Sequence, residues 1–145
     1  MANPKYGIGS LLKMGDGASP EVFTTVAMVG SIKGPGLSLG TYETTSHDTT
    51  GGAKTFITGL ADYGEVSFPC YFDASDNTHK DAATGIVGVA KAKTVKNWQI
   101  VLAGYSPSIK WSFSGPITKL DFGYPVDGVQ TVDTTIRVSG SPTLA

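Results

Sequence analysis

Residues 62–83 read DYGEVSFPCYFDASDNTHKDAA and hold five acidic side chains, the chain's single cysteine, Cys70, and one of its two histidines, His79. Carboxylates with an imidazole are metal ligands, and a thiol with an imidazole is a possible nucleophile with its base. A metal site needs several ligands converging at suitable spacing. Asp73, Asp76 and Asp81 do not follow the order of a calcium loop, and His47, the other histidine, is far away in sequence. A reactive thiol needs a base and an electropositive setting. Cys70 instead alternates with Phe68 and Phe72, the position of an inert buried thiol. Each acid has a structural use in the same reading. Asp62 precedes a strand, Glu65 points off its outer face, and Asp73 ends it. Asp76 caps a helix, and Asp81 sits near that helix's first turn, with His79 on its surface.

The remaining motifs are no more chemical. GIG at residues 7–9 and GDG at 15–17 lack the Lys-Ser/Thr of a phosphate loop, and neither a GxSxG nor an HExxH occurs. Trp98, Trp111, Phe113 and Tyr124 could form a platform for a sugar or a base, but on alternating strands such aromatics are core. No catalytic residue, metal or cofactor is expected, and the chain does not read as an enzyme.

The elements that carry these residues are mostly strands. Over residues 65–73, Val66, Phe68, Cys70 and Phe72 face one way and Glu65, Ser67, Pro69 and Tyr71 the other. Pro69 cannot donate to a ladder, which places this strand at an edge or a bulge. Residues 6–14 read as a short strand or arm, and 21–33 as a strand bent at Gly30. Residues 41–58 are polar and Thr-rich and are expected to form a long exposed loop flanked by short strands, usually a functional feature in a small domain. Ala82, Ala83, Ile86, Val87 and Ala90 recur at helical spacing, so one helix is expected over about 76–92. Its Gly85 and Gly88 make sense where it lies close against a sheet. Strands follow at 98–103, 109–114, 117–122 and 129–139, with a turn at 124–128. Six to eight strands and one helix are expected, in a single domain spanning 1–145.

Composition narrows the function classes. Charged residues make up only 16% of the 145, against about 25% in an ordinary soluble domain, as suits a surface that meets other protein. Twelve acids face eleven bases, and Arg137 is the one arginine among those bases. A nucleic-acid reader normally shows an arginine-rich basic patch. One cysteine excludes an intrachain disulfide. No segment is apolar enough for a membrane span, so no membrane insertion and a cytoplasmic site of synthesis are expected.

Four stretches, taken in order, resemble the major tail tube proteins of long-tailed (siphovirus-type) bacteriophages. They are YGIGSLLKMGDG followed by TVAMVGSIKGPGLS, then GLADYGEVSFPCYFD running into SDNTHKDAA, then WQIVLAG with KWSFSGPITKLDFGYPVDG, and the closing VQTVDTTIRVSGSPTL. Their succession spans nearly the whole chain, although no single motif is diagnostic. The resemblance implies a mainly β fold, a sandwich or barrel of two packed antiparallel sheets with one flanking α-helix, shared with the tubes of contractile tails and of type VI secretion. It implies homo-hexameric rings stacked into a hollow virion tail tube, assembled in the host cytoplasm, that conducts phage DNA into the host. Tape measure, tail terminator and tail tip proteins would be its partners. Some relatives carry a C-terminal immunoglobulin-like domain, which is not expected after SGSPTLA. A lumen that lets DNA slide should be neutral to acidic, because a basic one would trap phosphates by counterion release.

Exposure and length, rather than a matched motif, nominate the contact residues. Tyr42, Glu43, His47, Asp48 and Lys54 in the 41–58 loop are candidates for contact with the next ring, and Tyr6, Leu11 and Leu12 of the N-terminal arm for crossing a subunit boundary. Two other readings stand beside this one. One is a head-to-tail connector or tail completion ring of the same fold. The other is a carbohydrate-binding β-sandwich using Trp98 or Trp111.

Overall fold

A computed structural model describes residues 2–48 and 50–145; Met1 and Thr49 lie outside the described residues. The elements in chain order are β1 (Leu11–Gly15), β2 (Phe23–Thr25), β3 (Ser38–Glu43), β4 (Phe56–Asp62), β5 (Glu65–Tyr71), α1 (Ile86–Ala92), β6 (Val95–Val101), β7 (Lys110–Gly123), β8 (Thr131–Arg137) and β9 (Ser139–Leu144).

Alternation along β5 works as the sequence suggests. Val66, Phe68 and Cys70 are buried while Glu65, Pro69 and Tyr71 are exposed. They face Ile136, Thr134 and Val132 of β8. Across the core, Leu12, Met14, Trp98, Ile100 and Phe113 supply the opposing layer. Trp98 and Phe68 are the largest fully buried side chains, each worth roughly 1.5–3 kcal/mol of removed apolar surface.

β7 joins the two layers. Its first half pairs with β6, from Lys110↔Val101 to Pro116↔Val95. Its second half pairs with β8, from Ile117↔Ile136 to Gly123↔Thr131, with an irregular register at Ile117/Lys119. β9 continues β8 and returns along the first half of β7. One layer is therefore β2-β1-β6 with the start of β7 and β9, and the other is the end of β7 with β8 and β5. This is a mainly β architecture of two antiparallel layers with one helix. The Gly115-Pro116 step sits where the strand changes partners.

Pro69 lies where a missing donor does least harm. Ser67 and Tyr71 turn their N–H groups away from β8, to Lys33 O and Met28 O. By alternation the Pro69 nitrogen points the same way, into the gap between the isolated bridges at Val29 and Lys33. Those bridges are what becomes of the strand expected over 21–33. β2 holds only three residues, and Met28 breaks the run with a left-handed φ of 54°.

The helix is also shorter than its apolar spacing suggests. Asp76 Oδ1 accepts the Thr78 N–H (2.8 Å) and the Thr78 hydroxyl (2.5 Å), a local bond that competes with helix formation. Residues 74–85 form turns. A Cβ on Gly85 or Gly88 would run into the backbone of Lys80 or Ala82. The two glycines admit this turn run, not a sheet, against the helix. Asp76 and Asp81 therefore do not belong to α1. His79 is not on a helix surface but fully buried.

Candidate assembly surfaces

The polar stretch 41–58 is an exposed loop over residues 44–55, with Thr49 outside the described residues, and the strands that flank it reach into the stretch at both ends. β3 and β4 form a two-stranded antiparallel hairpin, with Thr41↔Thr58, Tyr42↔Ile57 and Glu43↔Phe56 in register. Threonines close it further: the Thr44 N–H reaches Thr55 O at 2.8 Å and the two hydroxyls lie 2.8 Å apart. The Tyr42 ring crosses Gly59, at a spot a side chain would fill.

Among the described residues neither strand pairs with any other. Every residue of β3 is exposed, and Gly59 is the sole half-buried residue of β4. Leu39, Tyr42, Phe56 and Ile57 are about half exposed or more, and Leu60 reaches 90%. A lone two-stranded hairpin is marginal in water, and a contiguous uncovered apolar set marks an interaction surface.

The root of this hairpin is held firmly. Arg137 Nη2 donates to both Asp62 oxygens at 2.9 and 2.8 Å, and the Gly64 N–H donates to Asp62 Oδ1 at 2.9 Å. The Gly64 N–H first, and Arg137 next, hold the Asp62 carboxyl below its usual range. The Gly36 N–H donates to Tyr63 O at 3.0 Å.

Candidate contact residues fall on both sides of the surface. Tyr42, Glu43, His47, Asp48 and Lys54 are all exposed on the hairpin or its tip. In the arm, Tyr6 is 87% and Leu11 41% exposed, while Leu12 is 0% exposed. Leu12 faces the core of its own chain opposite Ile100 and has no surface to offer a neighbour. Pairing of β1 with β6 fixes this: the strand must turn one of two adjacent leucines inward.

The chemical cluster dissolves into supports. Asp73 Oδ1 accepts from the Ser75 backbone and hydroxyl, and Asp81 pairs with Lys91 at 2.6 Å. His79 Nδ1 accepts the Asp73 N–H (3.2 Å), so Nε2 carries the hydrogen and donates to Ala27 O (2.7 Å). Burial, and next the Asp133 carboxylate, push the Cys70 thiol up to about 12. Among the described residues no three His, Cys, Asp or Glu side chains converge as a metal set, and no helix is long and apolar enough to cross a membrane. Trp98 is fully buried and donates its indole N–H to Gly115 O at 3.0 Å, so it presents no face to a sugar.

Sequence reasoning missed one surface. Met28, Tyr71, Phe122, Tyr124 and Val129 are each at least 40% exposed, and three of them border one shallow concavity with Phe72, Asp73 and Gln130. They come from separate segments, so no local pattern marks them.

The chain matches no family model and no curated protein. It is similar in fold to solved structures. With a chain from the tail of an empty gene transfer agent particle, refined with C6 symmetry, it shares 17% identity over 98% of its own length and 99% of the other, at a TM-score of 0.72. With a chain from the virion of a native gene transfer agent particle the figures are 15%, 98%, 99% and 0.73. With one from the sheath/tube terminator of an extracellular contractile injection system in the extended state they are 12%, 100%, 99% and 0.74. Identities this low speak for the fold alone.

Proposed function

We propose that the chain is a structural subunit of a phage-type tail tube. The observation that carries this is the β3–β4 hairpin, firmly rooted at Asp62–Arg137 yet uncovered on both faces. A fold that spends part of its chain on an arm it does not itself cover is built for a neighbour. Likeness over nearly the full length to chains of tails and injection systems supports the same reading.

In this reading hexameric rings stack, each hairpin reaching the next ring, and the hollow stack conducts DNA. Tail terminator, tape measure and tail tip proteins are the partners at its ends and inside it, and the site of action is the tail of the virion, assembled in the host cytoplasm. A net charge of −1 suits a passage that must not retain phosphates. The resemblance to long-tailed phages belongs to this proposal.

Negative-stain electron microscopy of concentrated protein tests it. Rings and hollow tubes are the expected result; dispersed monomers at every concentration, with tail-tip components added, would sink it. Likeness to a sheath/tube terminator and to a tube-terminating cap favours a second reading, a completion ring. Polymer length separates the two, since a completion protein stops at one ring.

A further inference from the structure

We propose that the slot between the N-terminal arm and residues 29–34 receives the β3–β4 hairpin of a second copy of the chain. This rests on the assembly reading above and adds to it the surface that takes the hairpin.

The slot lies where the two layers part. Residues 7–10, leading into β1, form one wall, and residues 29–34, running beside β5, form the other. Ile100, Leu102 and Trp111 form the floor of a cavity of about 660 Å³. Val29 and Ile32 pack onto the core beside that floor. No described residue of β3 or β4 lines the cavity, so the chain leaves its own slot open.

The second wall is an unfinished strand edge. Toward β5 it is paired: the Gly30 N–H donates to Pro69 O at 2.7 Å and the Lys33 N–H to Ser67 O at 2.8 Å. The Val29, Ser31 and Ile32 N–H groups have no hydrogen-bond partner among the described residues. Unpaired donors on an edge invite an added strand, and an apolar floor beside them takes that strand's side chains.

Charge around the slot has one sign. Residues 5–10, 29–34 and 100–111 contain Lys5, Lys33 and Lys110 and no acid. None of the three ammonium groups is in an ion pair among the described residues. They flank the lining residues rather than line the slot, and charges act over roughly 8–10 Å at physiological salt.

The hairpin matches this site in backbone, side chains and charge. The outer edges of both its strands are unpaired among the described residues. Register puts Leu39, Tyr42 and Ile57 on one face with Gly59 and Ala61, and that face carries no charge. Glu43 and Asp48 outnumber Lys54, the sign that a lysine-flanked slot attracts. The β7–β8 turn, with exposed Val126 beside Asp127, has the same sign but no strand to add. A hairpin that lies clear of its own slot and enters another copy's makes a head-to-tail contact, which closes a ring or propagates a stack.

Two variants of the full chain, Tyr42→Cys and Ser31→Cys, are mixed under assembly conditions and oxidised. A disulfide between positions 42 and 31, identified by peptide mapping of the linked band, is expected. Linkage of Ser31→Cys to Val126→Cys instead would make the turn the occupant and overturn the proposal. Putting Lys5→Glu and Lys33→Glu into the Ser31→Cys chain should cut the 42–31 link at least about fivefold at low salt; an unchanged yield would overturn the charge match that selects the hairpin. If the parent assembles and no 42–31 link forms, the hairpin–slot contact fails and the assembly reading stands. If the parent never associates, both fail.

Discussion

His79 illustrates how a residue that looks chemical becomes structural. Its ring stacks on Phe72 at 6.0 Å and ties Ala27 to Asp73, two segments far apart in sequence. Removing the ring leaves a buried cavity and two orphaned backbone groups. His79→Ala should cost about 2–4 kcal/mol in urea unfolding; a loss below 1 kcal/mol would show that the tie is dispensable. Cys70 makes a pH prediction. Its folded value near 12 stands above about 8.5 in the unfolded chain. Below pH 8.5 both states hold the proton; between the two values only the unfolded state releases it, so stability falls as pH rises, by up to about 1.4 kcal/mol per unit. Compared with Cys70→Ala, the parent should lose stability between pH 9 and 11, and equal slopes for the two proteins would refute this. Below pH 8.5 the thiol should resist labelling reagents until the chain unfolds.

At the scale of elements, Gly88→Ala separates propensity from packing. Alanine favours an isolated helix by about 1 kcal/mol over glycine, but here its Cβ would strike the Ala82 backbone. Packing should win, with a net loss of about 1–3 kcal/mol in thermal unfolding. The hairpin root titrates the other way from Cys70. Asp62 is held below its usual range, so the clamp is present above pH 4 and is lost as pH falls through the lowered value. Hydrogen exchange at Thr58 and Gly59 should quicken below that point, and Arg137→Gln should reproduce the change at neutral pH. Unaltered exchange in Arg137→Gln would assign the rooting to the backbone bonds alone. These elements also show what the sequence made legible. β5 was readable because one face is buried and its alternation records that. For β3 and β4 only short strands beside the loop were readable, not their bounds or pairing, because an element with nothing beneath it has no buried face and its threonines read as loop. α1 was overextended because Ala82 and Ala83 keep helical spacing, while the Asp76–Thr78 bond and two crowded glycines decide the backbone. Leu11 and Leu12 could not be told apart until pairing set which one faces in, and the Met28–Val129 patch is assembled by the fold from segments that share no local pattern.

For the whole molecule, the hairpin and the core are separable. Core packing draws on β1, β5, β6, β7 and β8 and on α1, with no residue of β3 or β4 among the buried set. Deleting residues 46–54 should therefore leave a chain with parental near-ultraviolet dichroism that no longer forms tubes. Normal tubes from this variant would remove the hairpin tip from the ring-to-ring contact. The free subunit should also melt in a concentration-dependent way, since covering its surfaces stabilises by mass action.

β7 has a mechanical consequence. Among the described residues it is the one strand shared by both layers, pairing with β6 and β9 along its first half and with β8 along its second. In a stack of such subunits, a pull applied along β7 passes through both layers by continuous covalent backbone. The hydrogen bonds to β6, β8 and β9 are loaded sideways, as a group, rather than unzipped singly. In such a stack β7 is a tension member and the sandwich around it is bracing, so the assembly should resist stretching far more than the modest stability of any one subunit suggests.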